Sequence, residues 1–308
     1  MTQTSDNIRT ILITGGSGLI GKKLTSSLTS QGYTVHWLTR DPERSPVKAF
    51  RWVVEEQYID PNALQDVDAI VHLAGENVGG GRWTSSRRKK ILNSRIESCA
   101  LLCRALAESD HQVKVVVAAS ATGFYGIHPA GGQEEDATPG RDFLAMVTEE
   151  WEKAQQTFAV LTPRLVTIRI GIVLSESGGA LEKLILPIKY HLGAVLGSGK
   201  QMMSWIHIDD LCNIFHQAIF SSAMSGVYNA VAPEAISNKV FTERLASILG
   251  RSLWLPPVPP LALKLLLGKM SDMVLGGAQV SCQKLLNTGF QFKFETLDPA
   301  LRNLLKKN

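Results

Sequence analysis

Residues 11–21 read Ile-Leu-Ile-Thr-Gly-Gly-Ser-Gly-Leu-Ile-Gly, and this stretch decides the fold. A short apolar run ends at Thr14, and glycines follow at Gly15, Gly18 and Gly21. Leu19, Ile20, Leu24 and Leu28 then recur at helical spacing. Gly15 permits a tight turn out of a strand. Gly18 lets a pyrophosphate approach the backbone, because no Cβ stands in the way. Gly21 lets the helix pack close to the sheet. The first amides of that helix, with the positive end of its dipole, favour an anion. The stretch therefore predicts a dinucleotide site made of Thr14, Gly15, Gly16, Ser17, Gly18, Leu19, Ile20 and Gly21.

The chain around it alternates apolar runs with helical patterns. Strands are expected at 8–14, 33–38, 50–54, 68–73, 113–119 and 165–171, and helices at 19–31, 85–108 and 142–158. Continuous apolar runs such as 113–119 suit a parallel sheet covered on both faces. The expected fold is α/β, a Rossmann-type doubly wound parallel sheet. A dinucleotide domain over 8–172 is followed by a smaller mixed substrate region over 173–308. That region includes a helical appendage from about 255, and its strand at 226–231 is a candidate to return to the main sheet.

Where the second strand ends, the chain reads Thr39-Arg40-Asp41. An acid at this place bonds an adenosine ribose 2′-hydroxyl, whereas a guanidinium suits a 2′-phosphate. Thr39 and Arg40 therefore point to NADP ahead of NAD; the alternative is a solvated Arg40 with Asp41 on the ribose. Leu73, Ala74 and Gly75 end the strand before the next loop, small enough for a cofactor to lie across them. Arg82 and Trp83 lie in a Gly-rich loop and are candidate substrate contacts, with Arg95 and Arg169 as further cations. Arg169, inside an apolar strand, demands a buried partner. The cluster Arg87, Arg88, Lys89 and Lys90 reads as a solvated helix face.

Bulk composition bounds the rest. The 308 residues are 44% hydrophobic and 19% charged, so a sizeable core is expected and wholesale disorder is not. A net charge of +4 suits small anions and is too slight to argue for nucleic acid. Four cysteines make neither a disulfide scaffold nor a metal set; Cys99 and Cys103 read as buried helix residues, and no metal is expected. Residues 1–7 are polar without an apolar segment, so no secretory signal is expected, and no run is long enough to span a membrane. The oily stretch 261–267 reads as a helix end meeting a groove or core. The expectation is a cytoplasmic protein, monomer or homodimer, with a small-molecule substrate.

Several motifs together resemble the extended short-chain dehydrogenase/reductase superfamily. They are Thr-Gly-Gly-Ser-Gly-Leu-Ile-Gly at 14–21, Leu-Ala-Gly at 73–75, Ser-Ala-Thr-Gly-Phe-Tyr-Gly at 120–126 and Trp-Ile-His-Ile-Asp-Asp at 205–210. More narrowly, the chain resembles the atypical NAD-dependent epimerase/dehydratase-like "epimerase family" proteins with a C-terminal domain of unknown function. Leu-Ala-Gly-Glu-Asn with Arg82-Trp83, Ser94-Arg95, Gly-Ser-Gly-Lys-Gln at 197–201, Leu275-Gly276-Gly277 and Gly289-Phe290 carry that narrower likeness. It covers roughly residues 9–305.

The resemblance implies an NAD(P) site in the first part and an oxidoreductase or epimerase acting on a carbonyl or nucleotide-sugar-type molecule. It puts Ser120 in the place of the serine that polarises the substrate oxygen, with Thr122 as the alternative. It assigns His207, Asp209 and Asp210 mainly to support and capping. One departure matters. The superfamily uses Tyr-x-x-x-Lys, in which tyrosine transfers the proton and lysine lowers its pKa. None of the five tyrosines here has lysine four residues on, and Phe143 and Val147 fill the two slots. Tyr125 is then the candidate substitute acid, against a packing role for the same ring; Glu149, Glu150 and Lys153 are weaker candidates. The alternative function is a non-catalytic NADPH-binding sensor.

Overall fold

In the computed structural model, residues 8–306 are described; the polar segment 1–7, on which the signal-peptide expectation rested, lies outside them. Strand β1 (Thr10–Thr14) leads into α1 (Leu19–Ser30), β2 (Thr34–Thr39), β3 (Ala49–Val53), β4 (Tyr58–Ile59) and β5 (Ala69–His72). Then come α2 (Ser85–Glu108), β6 (Val115–Ala121), β7 (His128–Gln133), α3 (Phe143–Gln155), α4 (Phe158–Leu161) and β8 (Leu165–Ile170). The second part holds β9 (Ile172–Leu174), α5 (Ala180–Lys189), β10 (Met202–Met203), β11 (Trp205–His207), α6 (Ile208–Phe220) and β12 (Gly226–Ala230). It closes with β13 (Ile236–Ser237), α7 (Asn238–Ile248), α8 (Pro260–Leu267), α9 (Ser271–Leu275), β14 (Ala278–Val280), α10 (Gln283–Leu286) and α11 (Leu297–Leu305).

Eight strands form the central sheet in the order β12-β8-β6-β5-β1-β2-β3-β4, and only the β3–β4 pair is antiparallel. The order turns back beside β1, which is the switch point where doubly wound sheets bind ligands. The central strands are buried along most of their length because helices cover both faces. Helix α1 packs on α6, and α2 on α3. Gly21, Leu24, Thr25 and Leu28 form the buried stripe of α1, and the Trp37 indole donates to Thr25 Oγ1 at 2.8 Å across it. A second apolar core lies under α5, α7 and α11.

The strand at 226–230, the candidate to return to the main sheet, lies at its edge beside β8. Two other features differ from the sequence reading. Residues 128–133, outside every strand expected from the sequence, form β7, which pairs in parallel with β14 from the C-terminal segment. The oily helix α8 buries Leu263, while Leu261, Leu265 and Leu266 stay exposed, so most of it meets neither groove nor core. All four cysteines are buried and free, and no metal-binding cluster occurs among the described residues. No helix among them is long and apolar enough to cross a membrane.

Candidate functional site

The turn between β1 and α1 is built from glycines with different duties. Gly15 has φ +69°, and its carbonyl accepts from Gly18 N at 3.0 Å. A Cβ on Gly21 would sit 2.5 Å from that same carbonyl, and one on Gly16 would enter the Trp37 indole. Those two glycines are required by internal packing. A Cβ on Gly18 would meet only Gly15 O, at 3.2 Å; Gly18 and Ser17 are exposed. Gly18 caps α1 without a side-chain hydrogen bond, and the first turn carries no acid. The amides of that turn are left for an incoming anion.

Thr14 is buried and ties the turn to the end of β5. Its hydroxyl accepts from Leu73 N and Ala74 N, both at 3.1 Å, and lies 2.9 Å from His72 Nδ1. With its oxygen accepting from two amides, the hydroxyl proton goes to His72 Nδ1. Complete burial lowers the His72 pKa to about 4, so the ring is neutral and Nε2 carries its proton. That nitrogen faces Ser98 Oγ and Cys99 Sγ, each at 3.4 Å. The peptide leaving β5 therefore has one position. A Cβ on Gly15 would lie 3.0 Å from the Leu73 carbonyl carbon, and one on Gly75 3.3 Å from the Arg95 guanidinium carbon.

At the end of β2, Thr39 Oγ1 accepts from Asp41 N at 3.4 Å. The Asp41 carboxylate faces Arg44 at 3.8 Å. Arg40 is exposed and has neither ion pair nor hydrogen bond among the described residues.

Loop 76–84 rises over the same edge. Glu76 pairs with Arg87 at 2.8 Å and with Lys90 at 3.5 Å, so two members of the basic cluster share one carboxylate. Arg82 donates to Leu265 O at 3.0 Å, and Lys183 to Gly79 O at 2.7 Å. The Trp83 indole donates to Val78 O at 2.8 Å and meets Phe143 edge-on at 5.1 Å. Trp83, Ile91 and Val147 form a small apolar cluster with Val78, Leu92, Phe143, Leu144 and Met270. Phe143 and Val147 thus belong to one apolar cluster.

Ser120 and Tyr125 lie elsewhere. Ser120 donates to Glu152 Oε1 at 2.6 Å and is 2% exposed. Glu152 stands nine residues beyond Phe143 on α3, about 13 Å along the axis. Tyr125, fully buried, donates to Asn229 Oδ1 at 2.7 Å and accepts from Arg169 Nη1 at 2.9 Å. Burial, the dominant influence, raises the Tyr125 pKa against the opposing pull of Arg169. Arg169 has the buried partner its position demanded: Nε and Nη2 each bond Glu152 at 2.8 Å. Thr122, by contrast, is half-buried at the strand exit, and the adjoining Gly123 abuts Leu144 in the first turn of α3.

His207 caps α6 by accepting from Asp209 N at 3.0 Å. Asp210 accepts from Lys293 N and Phe294 N, and Asp209 pairs with Lys23 at 2.8 Å. Glu149 and Glu150 pair with the exposed Lys153. Sequence reasoning missed Trp37, His72, Glu152 and Asn229. An isolated Glu in a helix and an Asn in a strand give no local signal, because their partners are remote in the chain.

A parallel sheet turning back at β1, with a glycine turn feeding an uncapped helix, defines a Rossmann-type protein. Residues 11–230 match the NAD dependent epimerase/dehydratase family, and residues 258–304 match a domain of unknown function, DUF1731. The chain belongs to the NAD dependent epimerase/dehydratase family. It is 34% identical to the epimerase family protein YfhF of Bacillus subtilis over 298 residues, 96% of this chain and 97% of that one. It is 35% identical over 304 residues to a chloroplastic SDR39U1 homologue of Arabidopsis thaliana, covering 96% and 87% of the two chains. The structure of the human epimerase family protein SDR39U1, solved with NADPH, superposes with a TM-score of 0.88 at 32% identity, covering 97% of this chain and all of the other. The UDP-glucose 4-epimerase of Thermus thermophilus, solved with NAD, shares the fold at 20% identity and a TM-score of 0.77.

Proposed function

We propose that the chain binds NADP(H) across the carboxyl edge of the sheet and acts as an oxidoreductase-type protein on a small molecule held beside Trp83 and Phe143. The observation that carries this reading is the uncapped amide end of α1 beside the open face of Gly18, with the partnerless Arg40 at the end of the adjoining β2. The NADPH-bound human relative supports the same choice of nucleotide.

The fit runs residue by residue. Backbone amides of α1 hold the pyrophosphate. Arg40 meets the 2′-phosphate with a charge-assisted bond, and Thr14 fixes Leu73, Ala74 and Gly75 against the adenosine side. When bound, the nicotinamide supplies or accepts a hydride. Thr122, at the strand exit near α3, orients the substrate oxygen. Ser120 and Tyr125 belong instead to the buried network around Arg169, which fixes the position of α3.

A second reading, a non-catalytic NADPH-binding protein, is favoured by Phe143 and Val147, neither of which transfers a proton. Steady NADPH oxidation with any carbonyl or nucleotide-sugar substrate decides for the enzyme. Tight NADPH binding without turnover across acceptor classes decides for the sensor.

A further inference from the structure

Helix α8 turns its apolar side outward. Leu261, Leu265 and Leu266 are 69%, 71% and 70% exposed, and of the helix's leucines only Leu263 is buried. At about 100° per residue the three exposed leucines span an arc of about 140°, with Lys264 at its border. The surface continues onto tied segments. Tyr190 and Leu192 are 70% and 61% exposed and flank His191, whose carbonyl accepts from the Trp254 indole at 2.9 Å. Trp254 is itself 67% exposed. The connector from Trp254 to α8 is held by the Val258 amide, which donates to Val195 O at 2.8 Å. Loop 79–82 ties α5 to α8, because Lys183 donates to Gly79 O and Arg82 to Leu265 O. Single exposed leucines are ordinary, but large apolar side chains gathered on connected segments mark a contact surface.

The charge around this surface has one sign. Segments 180–192 and 251–275 carry Lys183, Lys189, Arg251, Lys264 and Lys269 against Glu182 and Asp272. These segments thus hold a net +3 of the whole chain's +4. Lys189, Arg251, Lys264 and Lys269 are exposed and make no ion pair among the described residues.

We propose that this corner is a membrane-binding face, which seats α8 and the Trp254 connector in the interfacial layer of an anionic lipid bilayer.

Each part of the surface suits that partner. Leucines enter the acyl boundary, and the Trp254 and Tyr190 rings prefer the headgroup level. Lysine stems lie along apolar surface while their ammonium groups reach lipid phosphates. Eight residues of helix cover only about 12 Å, so α8 lies in the interface and does not cross it. A second copy is a poorer partner. A twofold contact through α8 sets the same basic surface against itself, so like charges meet. The proposal does not depend on the nucleotide reading.

The test uses the full chain. It is mixed with vesicles of phosphatidylglycerol and phosphatidylcholine in equal parts, or of phosphatidylcholine alone, and the vesicles are pelleted. Partition onto the anionic vesicles is expected to exceed that onto phosphatidylcholine at least about tenfold at ~0.1 M salt and to weaken at ~0.5 M. Tryptophan emission should shift to the blue on binding, and Trp254→Phe should lose most of that shift. Leu261→Gln with Leu266→Gln, and separately Lys264→Gln with Lys269→Gln, should each lower partition at least about tenfold. Val160→Gln, at an apolar residue 87% exposed on α4, should not. Unchanged thermal unfolding of these variants shows that each remains folded. A chain that ignores anionic vesicles overturns the proposal, as does binding that survives loss of the two leucines. A native dimer that becomes monomeric in the leucine variant gives the face to a second copy and also overturns it.

Discussion

Arg169 in β8 and Glu152 in α3 form a bidentate ion pair, both contacts at 2.8 Å, with side chains only 4% and 10% exposed. The guanidinium also lies 3.4 Å from the Phe124 ring centroid and donates to Glu135 O at 3.0 Å. One buried cation thus joins the sheet, α3 and the segments on either side of β7. Removing one partner strands a charge that water cannot reach. Glu152→Gln is expected to lower unfolding free energy by about 3–5 kcal/mol, and Glu152→Leu combined with Arg169→Met by clearly less. Urea denaturation of the single and double variants checks this; an equal or larger loss in the double variant contradicts it.

Tyr125→Phe separates a brace from an acid. The hydroxyl accepts from Arg169 and donates to Asn229, whose backbone amide donates to Glu135 Oε1 and whose side-chain amide donates to Ser281 O. Its removal is expected to cost about 1–3 kcal/mol of stability and to leave NADPH affinity unchanged. Thermal unfolding and nucleotide titration of the same preparation decide. Unchanged stability with abolished turnover would return Tyr125 to the acid role.

The two glycines of the turn should behave oppositely. Gly21→Ala forces a Cβ to 2.5 Å from Gly15 O and is expected to destabilise by about 1–3 kcal/mol. Gly18→Ala, at φ −74°, meets only Gly15 O at 3.2 Å but puts a poor N-cap residue on α1, so it is expected to cost no more than about 1 kcal/mol. It should nevertheless weaken NADPH at least about tenfold, or 1.4 kcal/mol, because its Cβ intrudes where the phosphates approach. Full NADPH affinity in a well-folded Gly18→Ala chain contradicts the cradle.

Acid should loosen the fold through His72. Its native pKa is about 4, held down by complete burial, against an ordinary 6.5. Above pH 6.5 both folded and unfolded chains carry a neutral ring, and no dependence arises. Between pH 6.5 and 4 the unfolded chain takes a proton that the folded chain refuses, so stability falls as pH falls. The loss amounts to roughly 3 kcal/mol by pH 4. Denaturation midpoints measured from pH 7 to pH 4 should drop, and His72→Gln should flatten part of the slope.

Much of this architecture was legible because its causes are local. The glycine turn, the apolar runs at 113–119 and 165–171, and the helix over 85–108 each carry their pattern within a few turns of chain. The nucleotide-side candidates come from a local pattern for the same reason. The partners of Ser120 and Tyr125, Glu152 and Asn229, could not be read from the sequence because tertiary packing sets them. The pairing of β7 with β14 was hidden because His-Pro-Ala-Gly-Gly-Gln shows no strand alternation and its partner lies far along the chain. Trp37 closing over Gly16 left no trace in the spacing of the glycines.

The most direct test of the nucleotide reading is a calorimetric titration of NADPH and NADH into the native chain and into Arg40→Ala. The account predicts that the native chain prefers NADPH. Arg40→Ala should lose roughly ten- to a hundredfold of that affinity, the worth of a charge-assisted hydrogen bond, and keep its NADH affinity. Equal losses for both nucleotides, or no binding of either by the native chain, would contradict it.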